Sequence, residues 1–156
     1  MAIFKLSDTL LFPRKKKTTV VRKKTSSSFS GEKQEALDDL TRLFPSMACG
    51  EVQEIKKTFI DARTLYEPQK TKKINSVFPL LERMKKQSIL FGYPLVADVI
   101  THLVKVIQKS NSFSEPEFTV MHNDVLLLQE ILWKKIKGDG GEKGRKILNQ
   151  LTRIPK

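Results

Sequence analysis

Few side chains in this sequence are of types that do chemistry, and their spacing restricts what that chemistry could be. His102 and His122 are the two histidines. Either could titrate near neutral pH. No cysteine or second histidine stands at metal-ligand spacing from them, and no serine sits in a nucleophile elbow. These residues predict structural or solvated histidines, with no catalytic set and no metal. Cys49 is the single cysteine. It excludes an internal disulfide framework and a cysteine-based zinc site, and it reads as a buried structural thiol. Gly138-Asp139-Gly140-Gly141-Glu142-Lys143-Gly144 has the glycines of a phosphate loop. It lacks the preceding strand and the Lys-Ser/Thr ending, so it predicts a helix connector. Arg83, Lys85 and Lys86 cluster beside Glu82. They form either a solvated charged face or a docking surface for an acidic partner. Trp133 reads as core or core edge.

The elements that would position these residues are helical. Ala36, Leu37, Leu40 and Leu43 recur at spacings of three and four, and Phe44-Pro45 is expected to end that helix. A second helix is predicted from near Gly50 to Tyr66, with Val52, Ile55, Phe59, Ala62 and Leu65 on one face and Pro68 closing it. A third begins after Lys73. Its apolar side is Val77, Leu80, Leu81, Met84, Ser88 and Ile89, and Pro79 requires either a start close to Phe78 or a kink. Gly92-Tyr93-Pro94 breaks the chain before a fourth helix carrying Val96, Val99, Ile100, Leu103, Val106 and Ile107. Ser114-Glu115-Pro116-Glu117 is a capping box that opens a fifth helix with Val120, Met121, Val125, Leu128, Ile131 and Leu132. A short last helix covers Glu142 to about Thr152. No stretch alternates with period two for long, so strands are not expected. The body reads as an all-α bundle of antiparallel helices.

The 156 residues suit one domain plus a tail, and 39% hydrophobic content supports a modest core. No run approaches the roughly 20 apolar residues of a spanning helix. No secretory signal is read at the N-terminus, and a cytoplasmic location is the expectation. The net charge is +12, and residues 1–30 supply most of it, with eight basic residues against Asp8 alone. The runs Arg14-Lys15-Lys16-Lys17 and Arg22-Lys23-Lys24 repel themselves and bury little. Residues 1–30 are therefore expected to form a disordered basic tail, and 31–156 the helical domain. Such a tail is either solvated or a contact for nucleic acid, anionic membrane or an acidic protein.

The segment Glu82-Arg83-Met84-Lys85-Lys86-Gln87-Ser88-Ile89-Leu90-Phe91-Gly92-Tyr93-Pro94-Leu95-Val96 resembles the signature of histidine phosphotransfer (HPt) domains. The downstream Ile136-Lys137-Gly138-Asp139-Gly140-Gly141 with Gly144-Arg145-Lys146 is similar to the same family. The likeness covers roughly residues 50–152. It implies an antiparallel four-helix bundle with extra N-terminal and C-terminal helices. It also implies a phosphorelay partner, a response-regulator receiver or a histidine kinase domain. The family's phosphoryl acceptor histidine falls on Glu82, its lysine on Lys85, and glycines on Lys86 and Gly92. Glu82 has no ring nitrogen to carry a phosphoryl group, and Lys86 fills the space a glycine would leave for the receiver.

The resemblance thus implies a pseudo-phosphotransfer protein that binds its partner through Arg83, Lys85, Lys86, Gln87 and Gly92. Glu82 stands at the phosphohistidine position. No catalysis, cofactor or small-molecule substrate is expected. Two alternatives stand beside this reading. One is a basic nucleic-acid-associated helical protein, driven by the tail. The other is an active phosphotransfer protein that uses His102 or His122.

Overall fold

A computed structural model describes the backbone of residues 2–151 and the side chains of residues 30–151. The disorder expected for residues 1–30 lies outside the described side chains, Ser30 excepted. Among the described residues there are six helices and no strands. They are α1 (Ala2–Arg63), α2 (Gln69–Asn75), α3 (Phe78–Leu90), α4 (Pro94–Lys109), α5 (Glu115–Trp133) and α6 (Gly141–Gln150). The chain divides into two units, Met1–Arg42 and Leu43–Lys156.

In the first unit, residues 30–40 are exposed. Local pairs support the helix there. The Gln34 amide donates to Asp38 at 3.1 Å, the Thr41 hydroxyl donates to the Leu37 carbonyl at 2.8 Å, and Arg42 pairs with Asp39. The predicted apolar stripe of Ala36, Leu37, Leu40 and Leu43 is exposed.

The second unit holds the core. α4 is its central element and packs on α3, α5 and α6. Eight of its side chains are buried, including every residue assigned to its apolar face from the sequence. Each large one contributes roughly 1.5–3 kcal/mol by leaving water. Its first turn is Pro94, where a missing amide hydrogen costs nothing. α3 likewise starts at Phe78 with Pro79 in the first turn, so the helix neither kinks nor breaks. α5 opens as expected, the Ser114 amide donating to the Glu117 carboxylate at 3.0 Å.

From Phe44 to Ala62, α1 buries Phe44, Ala48, Val52, Ile55, Phe59 and Ala62 in this core. Arg63 pairs with Glu115 at the start of α5, and Glu51 with Arg83 of α3.

Four expectations need correction. The helix does not end at Phe44-Pro45. It runs through both and through Gly50, because Phe44 and Pro45 are buried and the Phe44 ring is held 5.2 Å from Phe91 and 5.4 Å from Tyr93. That packing outweighs the local preference against a helical residue before proline. The short α2 precedes Phe78, where no helix was expected. Trp133, the last residue of α5, is 82% exposed and lines an open groove beside α1 instead of entering the core. Ile89 is also outside the core, at 60% exposure, and Leu90 at 67%.

Candidate functional site

The residues singled out from the sequence lie on α3 and the turn after it. Buried Leu81, Met84 and Ser88 fix the rotation of α3. At 100° per residue, this turns Glu82, Lys86, Ile89 and Leu90 outward within one arc. All four are exposed. Lys85 and Gln87 are half-buried at the flanks. Arg83 is exposed too, but its guanidinium is drawn toward α1, 2.6 Å from the Glu51 carboxylate. An exposed pair of this kind is worth little after solvent screening. Arg83→Ala is expected to lower stability by less than about 1 kcal/mol, read by thermal melting.

The turn after α3 is tied down. The Tyr93 amide donates to the Ser88 carbonyl at 2.7 Å, and the Ser88 hydroxyl donates to the Lys85 carbonyl at 2.8 Å. Gly92 takes a φ of +84°, which a side chain would resist. Its carbonyl accepts the Gly138 amide at 3.0 Å. The glycine-rich connector predicted after α5 therefore docks on the turn that ends the candidate face. Gly144 lies against the Asp139 carbonyl, and Gly140 (φ +68°) against Ile136 and Leu95. These glycines serve close backbone approach. The connector joins α5 to α6 and is preceded by no strand.

The histidines have different settings. His122 is exposed in α5. His102 of α4 is nearly buried, its Nδ1 2.7 Å from Oδ2 of Asp124 on α5. Its Nε2 is buried without a partner. Neither ring nitrogen of His102 is therefore presented to a second protein. Burial pushes the Asp124 carboxyl up to about 6, with the hydrogen bond and charge of His102 acting against the rise. Sequence reasoning did not single out Asp124. It sits 22 residues from His102 on another helix, and its one visible signal is an acid among the buried positions of α5.

Cys49 is half-buried, not buried, and lines a groove between α1 and α5. Burial raises its thiol pKa. Among the described residues, no group of three or more His, Cys, Asp or Glu side chains could hold a metal ion. Among them also, no helix is long and apolar enough to cross a membrane. The basic runs of residues 14–24 lie outside the described side chains. Comparison with protein-family models, with curated proteins and with solved structures finds no match for this chain.

Proposed function

We propose that this chain is a phosphorelay docking protein, an HPt-like antiparallel four-helix bundle built from the second half of α1 with α3, α4 and α5. In this reading it binds a response-regulator receiver or a histidine kinase domain and transfers no phosphate. The observation that carries it is the outward face of α3. Glu82 and Lys86 stand there beside Ile89 and Leu90, two large apolar side chains left in water at 60% and 67% exposure. A mixed apolar and charged patch on a rigid helix is the composition of a protein interface, with the apolar pair supplying affinity and the charges orientation. The patch coincides with the segment that resembles the HPt signature.

The chemistry of the face fits occupancy better than transfer. Glu82 offers a carboxylate, where the relay needs a ring nitrogen. Its negative charge repels an incoming acyl phosphate. Lys86 places a cation where the acidic pocket of a receiver would meet it. The hydrogen-bonded turn from Ser88 to Tyr93 keeps the face in one conformation, which reduces the ordering cost of binding.

The test is binding of the full chain to a panel of receiver and kinase domains from its own genome, by calorimetry at two salt concentrations. One or two partners are expected to bind. Ile89→Asp and Lys86→Glu are each expected to weaken that binding about tenfold or more. Both positions are exposed, so the variants keep the fold. Binding to no receiver or kinase domain would refute the reading, as would equal affinity of both variants and the parent chain.

A further inference from the structure

The second half of α1 and α5 flank an open groove of about 690 Å³, and every described residue that lines it belongs to the second unit. That volume lies in the range of small-molecule sites. Pro45 and Cys49 of α1 and Leu132 of α5 give the groove an apolar lining. Trp133 adds an indole that is 82% exposed. Gln53 and Gln129 bring one side-chain amide from each wall, and an amide can both donate and accept. A mainly apolar cleft with a few polar groups is the composition of a ligand site.

Among the described residues, two charged side chains line the groove, Glu130 and Lys135. Glu130 is neutralised by Lys134, whose ammonium lies 2.8 Å from its carboxylate. Lys135 has no ion pair among the described residues. The groove therefore presents one unmatched positive charge.

Lys135 also occupies a position that glycine would fill with less strain. α5 ends in a Schellman motif, the Lys135 amide donating to the Leu132 carbonyl at 3.3 Å and the Ile136 amide to the Ile131 carbonyl at 2.9 Å. Lys135 takes a φ of +52° there, in the left-handed region. The other described residues with positive φ are Gly92, Gly138, Gly140 and Gly141. Lys135 alone keeps a side chain where that side chain strains the backbone, and the side chain lines the groove.

We propose that the α1–α5 groove binds an aromatic carboxylate, with its ring against Trp133 and its carboxylate on the Lys135 ammonium. A planar apolar ring matches the exposed indole, which favours offset-stacked and edge-to-face partners. One negative charge matches the one unpaired cation. A cationic ligand would meet repulsion from Lys135, and a dianion would leave one charge unmatched. At an open groove the charge pair contributes orientation and selectivity more than affinity.

The experiment is a titration of the full chain with naphthalene-2-carboxylate, followed by proton–nitrogen NMR. Trp133 is the only tryptophan, so its indole N–H gives a single signal. That signal and the side-chain amides of Gln53 and Gln129 are expected to shift together and to saturate, with a Kd below about 1 mM. Naphthalene-2-carboxamide, of the same shape without the charge, is expected to bind about fivefold more weakly. Lys135→Gly is expected to abolish that preference and to raise the melting temperature by about 3 °C, because glycine relieves the backbone. Lys137→Gln is expected to keep the preference, since Lys137 lies 5.9 Å from the centroid of the Tyr93 ring and does not line the groove. Trp133→Ala is expected to weaken both probes about tenfold, read from the two glutamine signals.

No saturable shift at about ten times that concentration of the carboxylate overturns the proposal. So does equal affinity for the two probes, or a preference that survives Lys135→Gly. Shifts confined to the α3 face, with Trp133 unmoved, would also overturn it by placing the ligand elsewhere. A lower melting temperature for Lys135→Gly would overturn it too, by showing that the lysine serves the fold.

Discussion

Gly144→Ala is expected to destabilise the body by about 3 kcal/mol, the range of an overpacked buried site, and to lower the melting temperature by roughly 10 °C. Gly144 is buried in α6, with the Asp139 carbonyl group directly against its Cα. An added methyl group would overlap the Asp139 oxygen and lie 2.8 Å from its carbonyl carbon and 3.3 Å from Leu95 Cδ1. The first two atoms are backbone, so no side chain can swing aside. Either α6 or the connector must move.

The connector cannot move alone. The Gly138 amide donates to the Gly92 carbonyl at 3.0 Å, and the Asp139 side chain accepts from the Gly141 amide at 3.0 Å. Displacing it loosens the turn that ends α3, so Gly144→Ala is also expected to weaken the proposed binding at the α3 face. Lys143→Ala, one residue away and exposed, is the control and is expected to stay within about 0.5 kcal/mol of the parent. Equal melting temperatures for Gly144→Ala and the parent chain would show that the connector does not pack as described.

The second large effect is a pH dependence centred on Asp124. Its side chain is 3% exposed, and its carboxyl rises from 3.8 to about 6 on folding, chiefly by desolvation. A carboxyl raised in the folded state holds its proton more tightly there than in the unfolded chain. Its contribution is therefore most favourable below about pH 4. It is lost as pH rises through about 6, because the folded protein must then keep a buried carboxylate. The displacement from 3.8 to about 6 corresponds to about 3 kcal/mol.

Once Asp124 is ionised, the Nδ1–H of His102 is its hydrogen-bond donor at 2.7 Å, which is why the cost is limited and the carboxylate tolerated. Asp124→Asn removes the titrating group and keeps a polar side chain of the same size beside His102. Denaturant titrations at pH 4, 5, 6 and 7 are expected to show the parent losing stability relative to Asp124→Asn across that window. Parallel curves for the two proteins would contradict the assignment.

Much of the body was legible along the chain because it is written in local chemistry. The apolar stripe of α4 repeats at the helical period over about three turns, and each of its assigned core residues is buried. The box at Ser114 to Glu117 and Pro94 mark helix starts through their own backbone requirements, while Pro79 left a start near Phe78 or a kink, and the structure shows the start. The glycine connector was legible as a break. That it packs on Gly92 was not, because the hydrogen bond joins residues 92 and 138, with two helices between them.

The candidate face shows the same division. Periodicity placed Glu82 and Lys86 on the side of α3 away from Leu81 and Met84, and they are exposed. It also placed Ile89 with the core, where it is not. An amphipathic period gives the angle of a side chain about its own helix axis. It does not say how far a neighbouring helix reaches to cover the edge of the stripe. For the same reason Trp133, read as core or core edge, stands in water, as do Leu37 and Leu40 of the first apolar stripe.

By itself, then, the sequence determined that this chain is helical, where α4 and α5 begin, and which face of α4 is buried, because those outcomes rest on interactions within a few turns. Tertiary structure alone decided three other matters. Packing of Phe44 against Phe91 and Tyr93 decided that α1 passes through Pro45. The crossing of α4 and α5 decided that His102 meets Asp124. The reach of the neighbouring helices decided that Ile89, Leu90 and Trp133 remain uncovered. In each case the deciding free energy comes from surfaces brought together over long sequence distances, and no local pattern carries that information.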